Sequence, residues 1–512
     1  MKDRAVAIIA IFCFLKFSAL AQPVSSQQAS PLFEGKDYKT ALKSYEVLLK
    51  SDKENLEYNY KAGLCYLLGR IDYAKAIPYL EFVTRKKNVE NEAWKYLGQA
   101  YQYSFHFDDA IWAYESYLRK ADKKNSINVR RQIESCKNAK ELCTTKVNVT
   151  FENLGKQINT ESDEYNPVFP SNKAFLSFSS NRGNRGSYDA DIYISDLKQE
   201  SWAKAKNLGN SINTTSFSEN ECGLSNDGKL MFISVKDNIE KGTSDIATTS
   251  ISGKTFEAPV MLEDKINTIY NESSASISGD KNTLYFVSDR KGGIGKKDIY
   301  CSGRLPNGKW GVATLLSSNI NTIYNEDFPF LMPDGKTLYF SSEGHINMGG
   351  YDIFKSIWNE DGKDWSEAIN LGCPINSPDD NFNFVISASG KEAYVSAIRP
   401  EGYGNYDIYK VIFNAIEPKY TVFSGNLQSG EQNINSSATI TLIDTKTKGV
   451  VGSFRVTESK QGRYLICAAP GDYAAIIEVE GLPTITEQIT VIDKSSETNE
   501  LIEFNKDFKV VK

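Results

Sequence analysis

A heptapeptide written twice constrains this chain more than any other feature. "INTIYNE" stands at 266–272 and again at 320–326, 54 residues later. Related stretches lie one period further out: "INTESDEYNP" from 158, "INTTSFSENE" from 212 and "INSPDDNFNF" from 375. Recurrence at 54 or 55 residues means that one structural module is built five times, each copy leaning on its neighbours to bury its apolar face.

One unit reads, from 266, "INTIYNESSASISGDKNTLYFVSDRKGGIGKKDIYCSGRLPNGKWGVATLLSSN". "SSASIS" alternates and runs into the turn "GDKN". "TLYFVS" is a short apolar run, "KKDIYCSG" follows a glycine-rich loop, and "KWGVATLL" closes the unit. Such pieces, bounded by Gly, Asp and Asn, predict strands joined by hairpins. The turn recurs as "SNK" at 171, "NDGK" at 226, "PDGK" at 333 and "ASGK" at 388. The third strand carries Asp191, Asp245, Asp298, Asp352 or Asp407, and the fourth carries Trp202, Phe256, Trp310 or Trp365. Four strands at a period near 54 predict a β-propeller. After "YDIYKVIF" at 406–413 no fourth strand follows, whereas "VNVTFENLGKQIN" at 147–159 matches the outer-strand stretches "WAKAKNLGNSIN" and "WSEAINLGCPIN". The orphan strand is expected to complete a fifth blade and leave no open edge.

The pattern "INxxYNE…PDGKTLYFSS…GGYDIF" resembles the WD40-like repeat called PD40, related to TolB blades. The match runs over about 146–413 and implies a PD40 propeller domain at 146–415. The Asn at 159, 213, 267, 321 and 376 reads as a turn former bonding local backbone. The repeated Asp reads as a backbone acceptor at the loop before the third strand. Ca²⁺ or ligand binding by these carboxylates is the weaker reading, because residues identical in every blade serve the scaffold more often than one site.

Residues 27–142 carry a different period. "GKDYKTALKSYEVLL" begins at Gly35, "GRIDYAKAIPYLEFV" at Gly69 and "SFHFDDAIWAYESYL" at Ser104, with Ala41, Ala76 and Ala110 in register and Gly63 and Gly98 35 residues apart. A helix–turn–helix of this length, with small residues where helices cross, resembles the tetratricopeptide repeat. Three repeats and a polar closing helix near 126–142 are expected, with Pro78 kinking its helix. The family implies a groove lined by the first helix of each pair, which places Glu57, Tyr60, Glu92, Lys95, Gln99 and Gln102 toward a peptide or protein partner. From 418 to 500 short alternating strands predict a small β-sandwich. "GRYLICAAPGDYAAIIEVEG" resembles the transthyretin-type, carboxypeptidase regulatory-like domain. The predicted fold class is therefore multidomain α plus all-β: a helical repeat, a five-bladed propeller and a sandwich.

The chain has 512 residues, a net charge of −6 and a pI near 5.4, which disfavours nucleic-acid binding. Residues 22–143 hold 20 Lys and Arg against 16 Asp and Glu, so the acidity lies downstream. "MKDR", the apolar run "AVAIIAIFCFL" and Ala19 and Ala21 read as a Sec signal peptide over 1–21. Phe12 before Cys13 does not fit a lipoprotein signal. Seven cysteines remain after cleavage, at irregular spacing. Cys136 and Cys143 lie two turns apart on one helix, and Cys65, Cys222, Cys301, Cys373 and Cys467 read as small buried hydrophobes.

Only His106 and His345 are present, neither with a partner at triad or metal spacing. GxSxG, P-loop and GxGxxG patterns are missing, and "RKGGIGKKD" at 290–298 is a blade hairpin rather than a phosphate cradle. No enzyme activity, metal or cofactor is expected. The order of modules resembles Bacteroidetes envelope proteins, notably periplasmic, outer-membrane-associated components of type IX secretion and gliding. That resemblance implies a scaffold for envelope proteins, exported to the periplasm and without a transmembrane span. "FNKDFKVVK" ends the chain without the OmpA-like domain of such relatives, so attachment through a partner rather than peptidoglycan is expected. Two alternatives stay open: a sensor binding carbohydrate or another ligand at the propeller mouth, and a non-catalytic accessory of a peptidase.

Overall fold

The computed structural model describes residues 26–510 except 88, 184–189, 200, 238–241, 400, 415–420, 435, 447, 457–460, 469–470, 492–502 and 506. The expected signal peptide at 1–21 lies outside the described residues. The chain divides into two compact units, one ending at Ile133 and one running from Glu134.

The described part begins with seven helices: α1 (Ser26–Glu34), α2 (Tyr38–Ser51), α3 (Leu56–Leu68), α4 (Tyr73–Thr84), α5 (Glu92–Tyr103), α6 (Phe107–Leu118) and α7 (Lys123–Leu142). Short polar side chains start four of them. Asp37, Asn55, Asp72 and Asp122 accept from the amides of Thr40, Tyr58, Lys75 and Asn125, satisfying donors that a helix leaves over. Ala41, Ala76 and Ala110 are fully buried, as their period predicts. A Cβ on Gly63 would lie 2.9 Å from Leu80, and one on Gly98 2.6 Å from the Tyr114 ring, so helix approach requires glycine at both. Pro78 does not end α4, which continues to Thr84. The carbonyl it deprives of a partner belongs to Ala74, which is exposed, as is Pro78, so water can satisfy it. Among the described residues no helix is long and apolar enough to cross a membrane.

The last turns of α7 belong to the second unit. Ser135 donates to the Asn347 side chain (2.7 Å) and Asn138 to the Asn347 carbonyl (3.1 Å). Five antiparallel sheets then follow one another. Their first three strands are Glu164–Val168, Phe175–Ser180 and Asp191–Lys198; Phe217–Leu224, Leu230–Asp237 and Ser244–Ser252; Glu272–Ile277, Thr283–Ser288 and Asp298–Gly303; Glu326–Leu331, Thr337–Ser342 and Asp352–Asn359; and Phe382–Ile386, Glu392–Ala397 and Asp407–Phe413. Val149–Asn153 pairs antiparallel with Asp407–Phe413, placing Phe151 opposite Val411, so the domain's first strand finishes its last sheet. Apolar clusters bridge successive sheets. Ile192 meets Ile233, Ile246 meets Phe286, Ile299 meets Phe340 and Ile353 meets Val395. Ile408 of the last sheet meets Phe178 of the first. The domain is propeller-like.

The fourth strand differs from its expected form. It is broken into two-residue pieces, such as Ser201–Trp202 and Lys206–Asn207, or Asp364–Trp365 and Ile369–Asn370. A hydroxyl four residues after the repeated Asp holds the break open. Ser195, Thr249, Ser302 and Ser356 donate to the carbonyls of Ala203, Glu257, Gly311 and Ser366 at 2.6–2.9 Å. In the fifth sheet Val411 stands at that place, and the outer strand Val149–Asn153 is unbroken.

Two further sheets follow. One pairs Thr421–Ser429 with Gln432–Asn433 and Arg463–Ala468, and Glu503–Asn505 and Phe508–Lys509 run parallel to it. The other orders Val450–Val456, Ala438–Asp444, Gly471–Val479 and Ile485–Val491. Leu427, Ile440, Ile466, Ile477 and Phe508 share one buried cluster between them.

Candidate functional site

The repeated residues are consumed by the scaffold. Asn159, Asn213, Asn267, Asn321 and Asn376 do not merely shape a local turn. Each accepts from the amide and donates to the carbonyl of the Ile after the repeated Asp of the preceding sheet: Ile408, Ile192, Ile246, Ile299 and Ile353, at 2.7–3.0 Å. An Asn amide has a donor and an acceptor side by side, so it stands in for one residue of a neighbouring strand. The heptapeptide's Glu works beside it. Glu272 accepts from the Thr268 amide (2.7 Å), the Thr268 hydroxyl (2.8 Å) and Ser288 (2.6 Å). Glu326 repeats this with Thr322 and Ser342, and Glu164 with Thr160 and Ser180. Arg182 and Arg290 pair with Glu164 and Glu272 and donate to the carbonyls of Ile158 and Ile266. His345 takes that position in the fourth sheet, where Nε2 lies 2.8 Å from the Ile320 carbonyl and burial lowers its pKa. His106 precedes α6 and its amide donates to Tyr101.

The repeated Asp residues are anchored likewise. Asp298 accepts from the Gly295 amide, Asp352 from Met348 and Asp407 from Tyr403 and Gly404. Asn207, Asn370 and Asn153 donate to Asp191, Asp352 and Asp407. Asp245 holds the same place in the second sheet, opposite Val235. Among the described residues no group of three His, Cys, Asp or Glu is placed to hold a metal ion.

The repeat varies two residues after the position of the Glu, where Asn166, Glu221, Ser274, Phe328 and Asn383 stand. These lie at register shifts in the first strands. The first strands of all five sheets line one cavity of about 50 Å³. Asn383 donates to Asn166, and Asn166 to the Glu221 carbonyl (2.7 Å). Burial pushes the Glu221 carboxyl up to about 8, against hydrogen bonds from Ser177 and Gly223, so it holds a proton at neutral pH. Asp327 accepts from Ser274 (2.6 Å) and Lys297 (2.7 Å). Both central carboxyl groups are thus committed internally. The sequence reading missed this cluster because it followed what the units share, whereas the signal is the position at which they differ.

The residues expected to face a partner groove divide. Tyr60 of α3 and Tyr96 of α5 bring their rings to 6.4 Å, and the Lys95 ammonium lies 5.0 Å over Tyr96. Lys95 also pairs with Glu92, which accepts from the Tyr117 hydroxyl (3.0 Å). Gln99 donates to the Tyr103 hydroxyl (3.2 Å), and Glu57 is exposed. Gln102 is a correction: it is fully buried and accepts from Tyr114 (2.7 Å). Three residues beyond Gln99 the helix has turned its side chain toward α6 rather than solvent.

No protein-family model matches the chain, and no curated protein matches it. Among solved structures, a thermostable family-43 glycoside hydrolase is similar at 16% identity and TM-score 0.36, over 53% of this chain and 94% of its own. The α-L-arabinofuranosidase PaAbf62A from Podospora anserina is similar at 11% identity and TM-score 0.34, over 53% and 98%. A prolyl endopeptidase is similar at 10% identity and TM-score 0.27, over 73% of this chain and 52% of its own. At these values no functional residue is carried over from any of them.

Proposed function

We propose that the chain is an exported, non-catalytic scaffold in which tetratricopeptide repeats dock an envelope protein. A five-bladed PD40 propeller and a transthyretin-like sandwich follow in series, and type IX secretion or a related periplasmic, outer-membrane-associated assembly is the setting. The observation that carries this reading is the α3/α5 face, where Tyr60, Tyr96, Lys95 and Gln99 gather as part-exposed side chains. Aromatic rings beside a cation and an amide suit an extended peptide or a partner helix. Combined replacement of Tyr60, Lys95 and Gln99 by Ala is expected to weaken partner capture from native envelope extract by roughly 1–3 kcal/mol. Equal cross-linked recovery by folded wild-type and variant protein sinks the reading.

A ligand-binding propeller mouth is the competing reading. A cavity of about 50 Å³ accommodates a few waters, not a sugar ring, so this reading requires the first strands to move apart.

A further inference from the structure

The heptapeptide carries a side chain that the scaffold does not use. Ile266 and Ile320 are fully buried, and the Asn and Glu of each copy hold backbone. The second Ile instead projects: Ile269 is 84% exposed and Ile323 70%. Glu161, Thr215 and Pro378 stand at that place in the other three units, so these apolar tips are confined to the third and fourth. The hairpin "RKGGIGKKD" at 290–298 adds to them. Arg290 donates to the Ile266 carbonyl (2.6 Å) and the Lys296 amide to the Tyr324 carbonyl (3.0 Å), so this hairpin joins the two heptapeptide loops. Ile294 is exposed on it, between exposed Lys291 and Lys296. The next hairpin is tied to the Ile320 carbonyl through His345 and exposes Ile346. First strands begin at Glu272 and Glu326 and third strands at Asp298 and Asp352. Register sets Glu272 beside Ser288 and Ser288 beside Asp298, so all these loops leave the sheets at one end.

We propose that Ile269, Ile294, Ile323 and Ile346, with Lys291 and Lys296, form a surface that inserts into the headgroup region of an anionic phospholipid bilayer. A side chain as exposed as Ile269 has no neighbours around it to build the packed, water-excluding pocket on which a protein hot spot depends. A fluid acyl boundary needs no such pocket. It takes up each tip separately, in proportion to the apolar area that leaves water. A second copy of the chain is a poorer occupant. Four isoleucine side chains, even wholly covered, fall short of the roughly 800 Å² per partner that a stable dimer buries. Lys291 and Lys296 supply the charge match: their ammonium groups meet lipid phosphates while Ile294 between them enters the acyl boundary. Two carboxylates at this end are held by the protein, Asp289 accepting from Asn271 and Glu343 from Asn325. This surface is separate from the α3/α5 face, so neither reading depends on the other.

The test uses the chain without residues 1–21, whose apolar run would enter vesicles by itself, and sucrose-loaded vesicles of phosphatidylethanolamine and phosphatidylglycerol. Wild-type protein should sediment with them. Ile269→Asp combined with Ile323→Asp should lower partitioning at least about tenfold. Lys291→Gln combined with Lys296→Gln should lower it roughly fivefold per lysine, and added salt should remove that share while leaving the share due to isoleucine. Both double variants should melt as the wild type does, because the changed side chains are exposed. Val450→Asp combined with Val451→Asp, at exposed apolar residues far along the chain, should sediment as the wild type does. So should the Tyr60, Lys95 and Gln99 triple variant, which tests the α3/α5 reading alone. Wild-type protein left in the supernatant, equal sedimentation of the double isoleucine variant, an equal loss in the double valine variant, or a wild-type dimer that the isoleucine changes dissolve overturns the proposal.

Discussion

The helical region and the propeller-like domain are both built from repeats, but their repeats preserve opposite things. Along the helices the recurring positions are small: Ala41, Ala76, Ala110, Gly63 and Gly98 mark places where a neighbour must fit. Along the sheets they are polar and buried: Asn321, Glu326, Ser342 and Asp352 mark places where a hydrogen bond must be made. A helix satisfies its own backbone, so its repeat encodes shape. A sheet whose strands break and whose loops dive between neighbours leaves backbone groups over, so its repeat encodes their partners.

Deleting the closing strand should produce the largest effect. Val149–Asn153 supplies the outer edge of the fifth sheet, Asn153 bonds Asp407, and Asn159 pairs with Ile408. A chain starting at Glu161 should lose cooperative melting of the sheets, a loss on the scale of a domain's whole stability, about 5–15 kcal/mol. One starting at Thr145 should keep it. Identical melting of the two breaks the idea that the ring depends on its ends. Asn321→Ala comes next. It strands the Ile299 amide and the Leu316 carbonyl and takes one of two donors from the Ile299 carbonyl, which keeps the Leu316 amide; this should cost about 3 kcal/mol in urea unfolding.

These contrasts decide what could be read beforehand. The helical region ahead of the sheets, the first three strands of each sheet and the closing strand were legible because hydrophobic period and turn residues report local geometry. The reach of Asn321 was not, because its partner Ile299 lies in the previous sheet and sequence spacing does not say which backbone a side chain meets. Gln102 failed for a related reason: one helical face grades into the next, and its burial is decided by Tyr114 on α6.

Shape and hydrogen bonding can be separated with glycine. Gly98→Ala places a methyl 2.6 Å from the ring of buried Tyr114, whose hydroxyl is held by Gln102. Overpacking of about 1–3 kcal/mol should exceed the gain in helix propensity of about 1 kcal/mol. Gly303→Ala, at a strand end where an added Cβ meets nothing within 4 Å, should be neutral within about 0.5 kcal/mol. Equal costs for the two remove the claim that the helical repeat encodes space.

The smallest effect, graded with pH, should distinguish the two regions most finely. Burial pushes Asp352 and Glu221 up to about 8, and raises Glu164, Glu326 and Asp298 as well. Among the described residues of the helical region no carboxyl group is buried. The unfolded chain gives up these protons near pH 4, whereas folded Asp352 and Glu221 keep theirs to about 8. Folding therefore takes up protons between those limits. Stability is fully present below the lower one and declines as pH rises, by roughly 1.4 kcal/mol per pH unit for each group that stays protonated. Hydrogen exchange on the full chain, corrected for intrinsic rates, should show protection of sheet peptides falling from pH 6 to 8 while helical peptides hold theirs. Asp352 has one oxygen without a hydrogen-bond partner among the described residues, where its proton can sit. Asp352→Asn replaces that proton with a fixed amide and should remove one group's share of the slope. A slope that is equal in both regions, or unchanged in Asp352→Asn, would show that the buried carboxyl groups do not set the pH response of the sheets.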